Sequence, residues 1–294
     1  MLVVADLPNA DHIARLASSQ TLEEIAFGYG TDKSKDDHKY VDFYMTLFDP
    51  IRWSTRNVTE VGVATGQSLQ TWADYFSEAH IWGLDKTLHN TVKHAFEHNP
   101  RVTLKVVNAY SFSEATAREY GWAKESMDVI IDDAIHHVKY CEKLLVLLWP
   151  YVRPGGYYII EDVGPPAGDA STHVPGEPTA WNEEHFKTTE AAAIVKGNTA
   201  YMVDTSFGHR NFSHYVNTSY PLKGMHIHAR DRYWHTSHLI VLRKRTAAHA
   251  GPPWKQFTGI GKSDTDDHQE DGGAMTRGWI YERMRKSKAA TNEH

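Results

Sequence analysis

Short apolar runs bounded by turn residues alternate with stretches of helical periodicity through the middle of the chain. Asn57 to Gly66 reads as a strand running into a glycine-containing turn, and Gln67 to Phe76 resumes at helical spacing through Leu69, Trp72, Ala73 and Phe76. His80 to Asp85 is a second short strand, Val102 to Val107 a third, and Met127 to Asp133 a fourth. Tyr140 to Tyr151 then carries Leu144, Leu145, Leu147, Leu148 and Trp149 at helical spacing, before the turn Arg153-Pro154-Gly155-Gly156 and the apolar run Tyr157 to Ile160. Strands rich in β-branched and aromatic residues, separated by single helices, predict β-α-β units and a parallel, doubly wound α/β sheet. Ahead of it, Ala10 to Ser18, Leu22 to Phe27 and Lys39 to Phe48 predict short helices, the last stopped at Asp49-Pro50. Beyond it, Thr179 to Val195 predicts a helix, and Ala200 to Phe207 and His238 to Lys244 predict two further strands. From Thr246 the periodicity is lost. The expected division is a helical cap over 1–50, an α/β domain over 51–245, and a linker and tail over 246–294 that is partly disordered or straps a partner subunit.

The strand ends carry the candidate chemistry. The first strand runs into Glu60-Val61-Gly62-Val63-Ala64-Thr65-Gly66, where Gly62 and Gly66 let backbone approach a ligand that a Cβ would hit. The spacing is neither that of dinucleotide enzymes nor that of a phosphate-binding P-loop. Asp85 ends the next strand about 20 residues beyond the glycines, a position suited to accepting hydrogen bonds from ribose hydroxyls. A nucleoside is the expected ligand. Alone, the glycines would mark an ordinary tight βα turn as readily as a binding loop; the order of strands and acids favours the loop.

Two acidic pairs follow. Asp132-Asp133 precedes His136 and His137, and Glu161-Asp162 closes the run Tyr157 to Ile160. If the two strands are parallel neighbours, both pairs lie at one edge of the sheet, where ligands of open α/β sheets bind. Buried carboxylates need a cation or a reacting group beside them. An all-oxygen set suits a hard divalent ion, and an imidazole can take a proton near neutral pH. His136 is the expected base; His137 is assigned to packing or capping at the start of the following helix.

These residues resemble a known family. Glu60 to Gly66, Asp85 and Asn108 are similar to the cofactor motifs of class I S-adenosylmethionine-dependent methyltransferases. Tyr29-Gly30-Thr31-Asp32-Lys33, Asp133-x-x-His136 and Tyr158-Ile159-Ile160-Glu161-Asp162 resemble the metal-dependent O-methyltransferases of macrolide sugars, the mycinamicin and tylosin type, with kinship to cephalosporin hydroxylase-like proteins. The resemblance covers roughly residues 25 to 165. It implies a Rossmann-like seven-stranded sheet in the order 3-2-1-4-5-7-6, with the late strands forming its antiparallel hairpin. It implies that Glu60, Gly62 and Gly66 line the methionine and ribose, that Asp85 holds the ribose, that Asn108 lies near the adenine, and that Asp132 belongs to the cofactor side. Asp133, Glu161 and Asp162 would hold magnesium or manganese, with His136 as catalytic base beside Asp133. The family's Asp-Gly-Ser-His is here Asp133-Ala134-Ile135-His136, a bulkier and stiffer loop.

Composition narrows the partners. Lys and Arg number 31 against 37 Asp and Glu, a formal charge of −6, with no sustained basic run before the tail, which disfavours a nucleic-acid substrate. No apolar run is long enough for a membrane span, and Met1 to Ala10 lacks the basic and apolar regions of a leader, so a cytoplasmic protein without membrane attachment is expected. One cysteine, Cys141, excludes an internal disulfide. Residues 163–178 are expected to form a lid, and the His-, Tyr- and Asn-rich segment 208–237 suits a sugar or aromatic acceptor. His226 and His228 could form a second metal site, though ordinary surface histidines are favoured. The expected activity is metal-assisted methyl transfer to a hydroxyl of a small molecule by a homo-oligomer. The alternatives are N-methylation, a hydroxylase-like reaction on the same scaffold, or a noncatalytic nucleoside-binding protein.

Overall fold

The computed structural model describes residues 10–34, 38, 40–136, 138–162, 190–204, 216–217 and 238–246. Among the described residues, three helices precede the first strand: α1 (Ala10–Ser18), α2 (Leu22–Tyr29) and α3 (Tyr40–Phe48). Thr21 caps α2 in a reciprocal capping box with Glu24, and Gly30 closes it in the left-handed conformation at φ 66°. The α/β body follows as β1 (Asn57–Val61), α4 (Gln67–Tyr75), β2 (His80–Asp85), α5 (Asn90–Phe96), β3 (Val102–Val106), α6 (Glu114–Glu119), β4 (Met127–Asp132), α7 (Val138–Leu148) and β5 (Val152–Ile160). Last come α8 (Glu190–Gly197), β6 (Thr199–Asp204), β7 (Val216–Asn217) and β8 (His238–Arg243).

One sheet contains all the described strands, in the order β3-β2-β1-β4-β5-β8-β6-β7. The pairs from β3 to β5 are parallel; β8, β6 and β7 add antiparallel pairs. Setting aside the two-residue edge strand β7, the other seven follow the expected order. Several boundaries differ from the sequence expectation. The helix expected over 140–151 begins at Val138 and stops at Leu148, where Pro150 tightens the last turn to a 3-10 form over Trp149–Tyr151. β5 begins at Val152, so Arg153-Pro154-Gly155-Gly156 lies inside the strand and not before it. A register shift between Met127 and Val129 absorbs the irregular segment, with Gly155 at φ 81°, and a Cβ on Gly156 would lie 2.8 Å from the Asp128 carbonyl. The last strand ends at Arg243, one residue before the expected Lys244, while residues 205–207 of the strand expected over 200–207 lie outside the described residues.

Strand alternation divides the core into two layers. Val58, Ile131 and Ile159 face a layer shared with α2, α3 and α4, where Tyr44, Phe48, Trp72 and Phe76 pack edge to face and stacked. Val61, Ile130, Tyr158 and Ile160 face the opposite layer, closed by Leu144, Leu145 and Leu148 of α7 and Ala191 and Val195 of α8. The N-terminal helices therefore form a wall of the core. The expected lid, the segment 208–215 and 218–237, His137 and the tail from 247 lie outside the described residues. Among the described residues no helix is long and apolar enough to cross a membrane.

Candidate active site

The backbone ladder continues past the ends of the central strands. Gly62 N donates to Leu84 O at 2.9 Å, Asp133 N to Val61 O at 2.9 Å, and Glu161 N to Asp132 O at 2.9 Å. The glycine turn and both acidic pairs are thereby brought to one edge. Gly62, at φ 93°, is so close to the next loop that a Cβ there would sit 2.0 Å from the Asp133 carbonyl oxygen. Gly66 is also left-handed, at φ 86°.

Asp85 fixes the turn. Its Oδ2 accepts from the backbone N–H groups of Val63 at 2.8 Å and Ala64 at 3.2 Å, while Oδ1 accepts from Thr87 N at 3.0 Å. A carboxylate oxygen has lone pairs for more than one donor, so this staple still leaves acceptor capacity for a ribose hydroxyl. Asn108 is exposed and caps a 3-10 turn, its side chain accepting from Tyr110 N at 3.2 Å. Glu60 is fully enclosed at 0% exposure, below the turn and not on the open edge. Its Oε1 accepts from the Trp72 indole at 3.2 Å, and burial pushes its carboxyl up to about 7 against the pull of Lys33.

Parity then sorts the acids between the two faces. Glu60, Asp133 and Glu161 fall on the side of the N-terminal helices, and Asp132 on the side of α7. The buried ammonium of Lys33, 2% exposed, lies among the first three: 2.6 Å from Asp133 Oδ2, 2.5 Å from Glu161 Oε2 and 3.9 Å from Glu60 Oε1. Burial alone would lower the Lys33 pKa, but the surrounding carboxylates outweigh it and hold the ammonium charged. Tyr44 donates to the other oxygen, Glu161 Oε1. Asp162 accepts at Oδ1 from Tyr40 at 2.5 Å, and its backbone N–H donates to the same hydroxyl at 3.3 Å. Across the sheet, Asp132 is 1% exposed; Tyr158 reaches its Oδ2 at 3.4 Å, and its Oδ1 has no hydrogen-bond partner. Burial pushes its carboxyl up to about 8.

His136 stands at the mouth, 38% exposed, with Nε2 3.7 Å from Asp162 Oδ2 and 3.9 Å from Asp133 Oδ1. Asp133, His136 and Asp162 each offer one ligand atom, all within 4.8 Å of one another, a group that could receive a metal ion. Of the three acids expected as ligands, Asp133 and Asp162 join this open cluster; Glu161 is turned inward with both oxygens engaged. Among the described residues, three of the four non-glycine residues at positive φ, Ala64, His136 and Asp162, are here, a concentration of backbone strain of the kind found at functional sites.

Sequence reasoning missed Lys33, Tyr40 and Tyr44. Lys33 belongs to the quoted run Tyr29 to Lys33, but nothing in its neighbours shows which acids it meets. Tyr40 and Tyr44 are separated by one helical turn, which does place them on one face of α3.

Residues 59–160 match the family model described as a methyltransferase domain. Among the relatives, the mycinamicin VI 2''-O-methyltransferase of Micromonospora griseorubida is 32% identical over 149 residues, covering 48% of this chain and 36% of that protein. An 8-demethyl-8-alpha-L-rhamnosyl tetracenomycin-C 2'-O-methyltransferase of Streptomyces olivaceus is 31% identical over 149 residues, covering 48% and 37%. The chain thus spans just over a third of the length of these relatives. A solved structure of MycE methyltransferase from the mycinamycin biosynthetic pathway, in complex with Mg, SAH and mycinamycin VI, shares the fold at a TM-score of 0.52 and 21% identity, over 80% of this chain and 58% of that one. Over residues 59–160 the chain is thus similar to a methyltransferase domain, and over about half of its length it is similar to the O-methyltransferases named above.

Proposed function

We propose that the chain transfers a methyl group from S-adenosylmethionine to a hydroxyl on a sugar of a glycosylated natural product, assisted by a divalent ion. The observation that carries this reading is the meeting, at one sheet edge, of the glycine turn stapled by Asp85 with the cluster Asp133, His136 and Asp162. The relatives' names describe 2''-O- and 2'-O-methylation, which supports a sugar hydroxyl as acceptor.

The residues fit a hard cation. Asp133 Oδ1 and Asp162 Oδ2 both face the open side near His136, and the acids around Lys33 outnumber it. Asp133 and Asp162 would hold magnesium, and Glu161 would join only by exchanging Lys33 for the ion. Bound there, the ion lowers the pKa of an acceptor hydroxyl. The chain's own residues orient and deprotonate. Asp85, through Val63 and Ala64, shapes the loop facing the nucleoside. His136 takes the hydroxyl proton, with Asp133 and Asp162 stabilising the imidazolium that forms. Tyr40 holds Asp162 in its left-handed conformation so that its second oxygen faces His136. Class I domains also serve N-methylation, but a neutral amine has no proton to lose before attack, so the acid–histidine cluster favours an alcohol.

Titrating the full chain with S-adenosylhomocysteine and then incubating it with S-adenosylmethionine, magnesium and a panel of glycosylated macrolides and polyketides tests the reading. The expected result is saturable binding and a product heavier by one methylene on the sugar. Binding without methylation of any hydroxylated acceptor, alongside methylation of an amine, would replace it.

A further inference from the structure

Strand parity puts three carboxylates, Glu60, Asp133 and Glu161, on one buried face of three neighbouring strands, and a protein interior does not hold such a set without positive charge. Lys33 supplies it from a distant part of the chain. Its placement is fixed at the backbone: Gly30 ends α2, Thr31 N donates to Ala26 O at 3.3 Å, and Val41 N at the start of α3 donates to Lys33 O at 3.1 Å. The side chain is thereby aimed between Asp133 and Glu161.

Asp133 is shared between two neighbourhoods. Its Oδ2 receives the Lys33 ammonium at 2.6 Å, while its Oδ1 faces His136 at 3.9 Å in the open cluster with Asp162. An ion held by Asp133 and Asp162 therefore binds a carboxylate already partly neutralised, with a fixed positive charge on the far oxygen. In a poorly solvated site that repulsion weakens the ion's binding. Glu161 would add a strong ligand, but its Oε2 is held by Lys33 at 2.5 Å and its Oε1 by Tyr44.

We propose that Lys33 is a built-in competing cation, which holds Asp133 and Glu161 together and sets how tightly a divalent ion binds at the mouth of the site. It is a positioning residue, acting on the ion through the two acids. The inference rests on the metal-assisted reading above and adds to it the control of metal affinity by one lysine. A consequence is that the site keeps its shape without the ion, because the inner acids already have their counter-charge.

Manganese titration of the full chain by calorimetry, with thermal melting of each metal-free variant, tests this. Lys33→Met and Lys33→Gln should both tighten manganese binding by about tenfold or more, since repulsion is removed and two acids are freed. Both should also lower the metal-free melting temperature by roughly 6 to 12 °C, because buried acids lose their partner. In Lys33→Met/Glu161→Gln about half of that loss should return. Weaker binding with lower stability is what a merely structural lysine would give, so tighter binding in a less stable protein is the distinguishing result. If wild type binds manganese and both variants bind it equally or more weakly, the inference falls and the metal reading stands. If neither wild type nor either variant binds manganese, both fall.

Discussion

The two halves of the site are built differently. The half proposed to face the nucleoside is made of backbone: two left-handed glycines, the N–H groups of Val63 and Ala64, and one carboxylate that ties them, all within residues 60–85. The acidic half is made of side chains collected from Lys33, Tyr40, Tyr44, Asp133, His136, Glu161 and Asp162, over sequence separations of up to 128 residues. A backbone site tolerates change in most side chains but almost none at its glycines. A side-chain site depends on partners, so each loss leaves another group unpaired.

The sharpest test of the first half is Gly62→Ala. The new methyl group would meet the Asp133 carbonyl at 2.0 Å on a backbone at φ 93°, so one loop must move. A stability loss of about 4 kcal/mol and loss of measurable S-adenosylhomocysteine binding are expected by chemical denaturation and calorimetry. Near-normal binding would show that the turn is more pliable than its geometry. The second half should respond differently. His136→Ala should lower turnover by about 10² to 10⁴ while leaving cofactor affinity and melting temperature close to normal, because His136 stands at the exposed mouth. If manganese binding disappears with it, His136 serves as a third ligand of the cluster and the base is another group.

Asp85→Ala probes the join between backbone and ligand, with an expected loss of about 1 to 3 kcal/mol in cofactor affinity by calorimetry. Asp85→Asn, which keeps one acceptor oxygen for the turn, should recover part of it; equal affinity in all three proteins would remove Asp85 from the cofactor pocket. The smallest effect on ligand binding is expected from Asp132→Asn, which should act on the pH dependence of stability. Burial raises the folded-state carboxyl to about 8, so the folded protein binds a proton that the unfolded chain releases at lower pH. Stability from this group is therefore present below the unfolded carboxylate range and is lost as pH rises toward 8. The Asn variant should show a flatter decline in melting temperature between pH 5 and 8, and parallel curves would mean that Asp132 is already paired.

The same contrast explains what was legible in the sequence. The glycine turn, Asp85 and the parallel β4–β5 pair could be read because local spacing specifies them: a glycine at positive φ or an acid closing a strand announces itself within a few residues. The start of β5 could not, because its turn-like Arg153-Pro154-Gly155-Gly156 is carried in the strand by a bulge against β4, a tertiary effect that overrides local preference. Glu161 was expected beside Asp162 as a ligand. Adjacent just past the end of β5, with Asp162 turned into the left-handed conformation, the two meet different neighbours, and the lysine that claims Glu161 lies in a segment whose sequence does not name its destination.

The span between Lys33 and Glu161 also has a meaning in time. During synthesis the segment that carries the lysine emerges well before the strand that carries its carboxylate partner. Domains fold largely as units once their last strands are available, and contacts between distant parts of a chain form slowly because a long loop must first close. Until the residues that follow β5 leave the ribosome, Tyr40 and Tyr44 lack the carboxylates to which they donate. The acidic half is thus completed late in folding, and a chain paused in translation shortly after Ile160 has the local parts of its glycine turn while its lysine still lacks Glu161, the later of its two close carboxylate partners.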